Sequence, residues 1–273
     1  MSENHSLLQL KGITKIFSRG TVDEVRALDN INLDVSAEDY ITIIGSNGAG
    51  KTTLLNVIAG VYPPERGGQI IINGNDITGL SEYKHARYVG RVYQDPHIGT
   101  AAKMTVEENL SLAMLRGRPR GLRAANNKQR RELSHSVLAP LALGLENRLN
   151  ALVGTLSGGQ RQALALVMAT VSKPAILLLD EHIATLDPQT AQIVLELSEV
   201  IVTQEKMTTL MVTHNMELAL RYGNRLIMMH EGRVVVDINQ EQKASLTVND
   251  LVIAFERASG KKFADDSILL HHN

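Results

Sequence analysis

The nine residues GSNGAGKTT, 45–53, follow the apolar run YITII and precede LLNVIAG. An apolar run of strand length, a glycine-rich turn and a helical stretch in that order fix the local path of the chain as strand, tight loop, helix. Between Gly45 and Gly50, with Ser46, Asn47, Gly48 and Ala49 in the turn, the glycines let the backbone curl until successive N–H groups face inward. The helix start behind them adds a potential that favours phosphate. Lys51 is then placed to reach the β- and γ-phosphates of a nucleotide, and the Thr52 hydroxyl to bind Mg²⁺, with Thr53 beside it. An ordinary Gly-rich turn is the competing reading, and the strand before and the helix behind argue against it.

Two further stretches extend this chemistry. AILLLDE, 175–181, sets Asp180 at the carboxyl end of an apolar strand, where it can hold Mg²⁺ through water. Glu181, one residue on and facing the other way, can polarise an attacking water beside a γ-phosphate. LSGGQ, 156–160, precedes the apolar helical run ALALVMA. Ser157, Gly158 and Gly159, with Gln160 after them, put a hydroxyl and free N–H groups at a helix start, a second phosphate-binding end.

The rest of the chain is read around these motifs. LLQLKGITKIF and INLDV alternate apolar and polar residues as half-buried strands do, and QIIINGND runs into an Asn-Gly turn. Residues 95–170 read as a mostly helical insertion, with a capping-box pair at Thr105 and Glu108 and helical spacing resumed in SHSVLAPLALGL. AILLLD and TTLMVT are apolar runs of the parallel-sheet kind, and RLIMMHEGRVVVDI is a hairpin through Glu231-Gly232. A last helix is capped by Thr247 and Asp250, with Leu251, Phe255 and Ala258 on one face and Gly260 as its stop. Four segments follow: 1–94, a nucleotide-binding core with an antiparallel β subdomain; 95–170, a helical subdomain; 171–240, the remainder of the core; 241–273, a helical tail.

Bulk properties exclude several classes. No stretch free of Asp, Glu, Lys and Arg exceeds 13 residues, and one of that length, residues 133–145, holds Pro140 and Gly144, short of the ~20 residues of a spanning helix. MSENHSLLQL lacks the basic and apolar regions of a signal peptide. No cysteine is present, which rules out disulfides and thiolate sites. The net charge is −1, Trp is absent and Phe is 3, so neither a basic bias nor base-stacking aromatics argue for nucleic acid. Residues 116–131 carry seven basic side chains and no acid, a run that reads as a solvated loop on the helical subdomain.

With GSNGAGKTT, LSGGQ and ILLLDE in this order, nearly the whole chain resembles the nucleotide-binding subunits of ABC transporters. The resemblance implies an α/β P-loop NTPase (RecA-like) core with an N-terminal antiparallel β subdomain and an inserted α-helical subdomain. It implies ATP and Mg²⁺ as cofactors. Phe17 in KIF matches the aromatic that stacks on adenine. Gln94 in VYQDP matches the residue that contacts Mg²⁺ and the water and links core to helical lobe. Asp187 in ATLD matches the loop that crosses to a second subunit, and His214 in VTHN the γ-phosphate sensor. Two copies are then expected to pair head to tail, each ATP lying between the P-loop of one and LSGGQ of the other, on the cytoplasmic side of the inner membrane. Closing on ATP and opening after hydrolysis drives a membrane permease.

The chain departs from the family's usual Asp-Glu-Pro-Thr at His182 and Ile183, and from its usual serine at Ala184, which puts the coupling between sites in doubt. A single cassette without the exporters' acidic-glycine motif before LSGGQ favours an importer. DEH and the stretch TLMVTHNMELALRYGNRLIMMHEGRVVVDI resemble ATPases that serve a substrate-binding protein and a permease of the branched-chain amino acid or ribose type. An exporter or lipid-extraction ATPase is the first rival and a non-transport ABC protein acting on ribosomes or DNA the second.

Overall fold

The computed structural model describes residues 6–117 and 128–259. The chain divides into two compact units, one formed by the chain up to His85 with everything from Lys206 onward, the other by Ala86–Glu205.

The first unit opens with β1 (Ser6–Phe17) and β2 (Val25–Ser36), long antiparallel partners. β4 (Gln69–Ile72) pairs with β1, and β5 (Asn75–Asp76) returns on β4 after the Asn73-Gly74 turn. The sheet order β2-β1-β4-β5 is the antiparallel subdomain that the alternating pattern predicts. Between them β3 (Tyr40–Gly45), buried at every residue, leads through the glycine turn into α1 (Lys51–Ile58). The helix thus starts three residues before the apolar run LLNVIAG, because Lys51, Thr52 and Thr53 form its first turn. A short α2 (Glu82–His85) closes this half of the unit.

The second unit starts with β6 (Val89–Val92) and α3 (Pro96–Gly99). α4 (Val106–Met114) is capped by Thr105 and Glu108, whose reciprocal side-chain bonds are both present. After α5 (Lys128–Leu138) the chain does not continue helically to Leu145, as the spacing suggested. Pro140 falls in a single 3₁₀ turn, and Ala142 and Gly144 take left-handed conformations. α6 (Gly158–Thr170) then packs with α4 around a core of Val106, Leu110, Leu138, Leu145 and Leu164. β7 (Ile176–Asp180) is parallel to β6, and α7 (Pro188–Gln204) follows it.

Back in the first unit, β8 (Thr208–Val212) and β9 (Arg225–His230) flank β3, both parallel to it. α8 (Met216–Arg221) connects them, and β10 (Arg233–Ile238) forms the expected hairpin with β9. α9 (Gln240–Lys243) and α10 (Val248–Ser259) end the described chain. Leu251 and Phe255 of α10 are buried against Met216, Leu226 and Met228. The stop at Gly260 and the side chain of Ala258 lie outside the described residues.

Candidate nucleotide site

The glycine turn is built by close approach. A Cβ on Gly45 would sit 2.2 Å from the Met229 carbonyl oxygen, and one on Gly50, where φ is +98°, 2.4 Å from the Ala27 oxygen. No side chain caps the N-terminus of α1, since Gly50 holds the N-cap position in a left-handed conformation. Ala49 and Lys51 are buried; Asn47, Gly48 and Thr52 are exposed, and Ser46 and Thr53 half-buried. Lys51 Nζ donates to the Gly45 and Ser46 carbonyls at 2.7 and 3.1 Å, so its cation lies inside the curl of its own loop. Gly232, in the β9–β10 turn, donates its N–H to the Ala49 carbonyl at 3.1 Å and accepts at its own carbonyl from Asp29 N at 2.9 Å. An uncapped helix start, a buried cation and backbone too tight for any side chain make a cradle that fits the phosphates of a nucleotide.

In the same unit, β8 runs parallel to β3 and the Thr213 N–H donates to the Ile43 carbonyl at 3.1 Å. His214 therefore leaves the sheet at the same carboxyl edge as the loop, where open α/β sheets hold ligands. Asn215 behind it caps α8 by accepting from Leu218 N at 3.0 Å. Phe17 ends β1 and meets Tyr62 edge-on, ring centroids 5.2 Å apart, with Lys15 Nζ 5.5 Å from the Phe17 ring. Tyr62 and Lys15 are members of this aromatic corner that sequence reasoning missed. Tyr62 is 45 residues from Phe17 in sequence, and no local pattern joins them.

The second unit gathers the acidic residues. β6 and β7 are parallel neighbours, so Gln94, Asp180 and Glu181 share their carboxyl edge. Asp180 is not solitary: Arg91 Nη2 lies 2.7 Å from its Oδ2, and both side chains are 8% exposed. The Arg91 guanidinium also lies 4.5 Å from the Tyr93 ring centroid. Nothing in the sequence marked Arg91, because the pair depends on the register that sets Arg91 opposite Leu178. Glu181 is half-buried with φ at +45°. His182 is buried, and burial pushes its imidazole from 6.5 down to about 4, so it is neutral at ordinary pH. Thr185, in the loop after it, donates its hydroxyl to the Gln94 carbonyl at 3.3 Å.

At the start of α6 the hydroxyl of Ser157 accepts the Gln160 N–H at 3.2 Å, and the Gln160 side chain accepts the Ser157 N–H at 3.3 Å. The expectation of free N–H groups is thus met only in part, since this capping box engages two of them, those of Ser157 and Gln160. Ser157 and Gly158 are exposed. Gly159 is required by packing, because a Cβ there would meet Thr190 Cγ2 at 2.1 Å. Asp187 caps α7 by accepting from Thr190 N at 3.0 Å, and hydrogen bonds from the Thr190 side chain and then its backbone hold the Asp187 carboxyl below the usual range. Of the basic run, Arg131 binds the buried Glu107 at 2.8 Å, while residues 118–127 lie outside the described residues.

Known proteins resemble this chain in sequence and in fold. The ABC transporter family profile matches residues 28–184, from β2 to the turn after Glu181. The tyrosine transport ATP-binding protein of Clostridioides difficile (strain R20291) is 44% identical over 252 residues, 92% of this chain and 100% of that one. The lipoprotein-releasing system ATP-binding protein LolD of Rickettsia bellii (strain RML369-C) is 34% identical over 83% of this chain and 97% of its own. The dimeric ATP-binding cassette solved in a post-hydrolysis state with ADP and Pi superposes with a TM-score of 0.73 at 27% identity, covering 85% of this chain and 98% of that one. A profile over more than half of the chain and a relative matched over its whole length agree, and the chain belongs to the ABC transporter family as an ATP-binding subunit.

Proposed function

We propose that this subunit hydrolyses Mg-ATP to power uptake of an amino acid or similar small solute through a membrane permease. The single observation that carries the amino-acid reading is the 44% identity to a tyrosine transport protein over that protein's whole length. A methionine import ATP-binding protein from Bartonella henselae, 32% identical over 85% of this chain and 65% of its own, supports the same class. The 34% match to a lipoprotein-releasing subunit favours a second reading, an ATPase of an extraction machine.

In the proposed mechanism Phe17 stacks on the adenine, while Gly45, Ser46, Asn47, Gly48, Ala49, Gly50 and Thr53 wrap the phosphates with their backbone. Lys51, already turned into the loop, shifts its donors from two carbonyls to the β- and γ-phosphates. Thr52, Asp180 and Gln94 would hold Mg²⁺, which would neutralise charge developing on the phosphates. Among the described residues no three acidic or histidine side chains gather to hold a metal alone. Glu181 polarises the attacking water, and His214 senses the γ-phosphate. Ser157, Gly158, Gly159 and Gln160 of a second copy, paired head to tail, complete each site, and Asp187 belongs to the loop that crosses to it. The permease is of the branched-chain amino acid or ribose type, fed by a substrate-binding protein, and the subunit lies peripherally on the cytoplasmic face of the membrane. Among the described residues no helix is long and apolar enough to cross it.

The test is co-purification of the complex, identification of its bound solute by mass spectrometry, and reconstitution with ATP on the subunit's side. Uptake of an amino acid toward that side supports the reading. ATP-driven movement of lipid or lipoprotein away from it supports the extraction machine instead.

A further inference from the structure

From the last residue of β7 the chain reads Asp180-Glu181-His182, and the two outer residues are fastened by different parts of the second unit. Asp180 is paired with Arg91 on β6. His182, 1% exposed, places Nε2 3.1 Å from Ser198 Oγ on α7. Ser198 is itself buried, and its Oγ lies 2.7 Å from the Val194 carbonyl one turn back. A serine hydroxyl has one proton to give, and the shorter contact takes it, as serines within helices commonly do. The Ser198 oxygen is therefore an acceptor toward the imidazole, and His182 carries its hydrogen on Nε2.

Between these anchors Glu181 stands with φ at +45°. A left-handed conformation is strained for a residue with a Cβ, and it persists only where the surroundings over-determine it. Two features do so here. Ala184 donates its N–H to the Glu181 carbonyl at 3.0 Å, closing a turn with His182 at its first inner position. The imidazole then ties that turn to α7.

We propose that His182 is a positioning residue for Glu181, its Nε2–H···Oγ bond to Ser198 fixing the strained turn that aims the Glu181 carboxylate. This rests on the reading of Glu181 as the group that polarises water, and it adds a partner on α7 that the reaction needs though it touches no nucleotide. A histidine that served packing alone would lower stability without separating turnover from nucleotide affinity.

The experiment uses the purified full chain and measures Mg-ATP turnover, ATP affinity by equilibrium binding, and the unfolding midpoint. His182→Ala should lower kcat about 10²-fold, the size of loss that a small misplacement of a reacting group produces, with ATP affinity unchanged. His182→Gln, whose carboxamide N–H can reach the same oxygen, should restore most of the rate. Ser198→Ala should lower kcat in the same direction, and the His182→Ala/Ser198→Ala double variant should be no slower than His182→Ala, because the pair acts as a unit. Parental kcat in His182→Ala overturns the proposal, as does a loss that glutamine does not restore and Ser198→Ala does not share. If His182→Ala does not fold, the other two variants decide: a slow Ser198→Ala with an active His182→Gln supports the proposal, and the reverse overturns it. Glu181→Gln in the same series separates the two readings. If it hydrolyses ATP at the parental rate, the role of Glu181 falls on its own. If it is inactive while His182→Ala and Ser198→Ala keep the parental rate, only the role of His182 falls.

Discussion

Lys51 carries two loads, since the ammonium that would face the phosphates also ties together the carbonyls of Gly45 and Ser46. Lys51→Ala removes the cation and loosens the loop at once. It should cut Mg-ATP turnover by at least about 10²-fold, as loss of a preorganised charge contact does, and weaken ATP binding as well. Near-parental kcat in the purified variant would contradict the assignment. A different lysine contributes to the response to pH. Lys243 is buried with Nζ donating to the Tyr222 and Gly223 carbonyls behind α8, and burial lowers its ammonium from 10.5 to about 8. Between those values the unfolded chain keeps a proton that the folded chain has released, so this group makes stability rise with pH across that window. Urea midpoints measured across it should climb in the parent and climb less in Lys243→Met; identical slopes would show that Lys243 contributes nothing. At this scale the sequence announced the residues of contiguous motifs, Lys51 and Asp180 among them. It was silent on Arg91, 89 residues from its partner Asp180, and on Ser198 beneath His182, because both pairings exist only once strand register and helix docking are set.

Among the elements, β3, β7 and β8 were legible because a strand buried on both faces leaves a mostly apolar run of strand length. α4 was legible because its capping box is written within four residues. The break after α5 was misread for a local reason: SHSVLAPLALGL keeps helical spacing, but Pro140 cannot donate and Ala142 and Gly144 turn left-handed. The first turn of α1 was hidden by its own loop, whose last residues are also helical. The β9–β10 hairpin was visible from Glu231-Gly232, yet its contact with the phosphate cradle was not. Gly232 donates to Ala49, and a Cβ at Gly232 would lie 2.9 Å from the Ala27 oxygen at a φ of +76°. Gly232→Ala should therefore destabilise the chain by about 1–3 kcal/mol and weaken ATP binding beyond what the lower stability explains. Unchanged affinity in a variant with a lowered unfolding midpoint would show that the hairpin supports the sheet alone.

On the scale of the whole molecule, the chain spans all of its tyrosine-transport relative, and its two units divide the proposed chemistry. The unit with β3 and β8 holds the phosphate cradle, Phe17 and His214. The unit with β6 and β7 holds Gln94, Asp180, Glu181 and the LSGGQ helix start. The proposed cycle needs both, and needs a second copy to bring its Ser157 to the ATP of the first. Trapping that pair tests the account most directly. In Glu181→Gln the amide keeps the shape of the side chain and loses its basicity, and loss of a general base costs about 10²–10⁴ in rate. Light scattering on the full chain, with and without Mg-ATP and together with its permease, should show Glu181→Gln binding ATP without turning it over and accumulating as a dimer. Adding Ser157→Arg, which fills the space of the γ-phosphate, should abolish that dimer. Hydrolysis by Glu181→Gln at the parental rate would contradict the account.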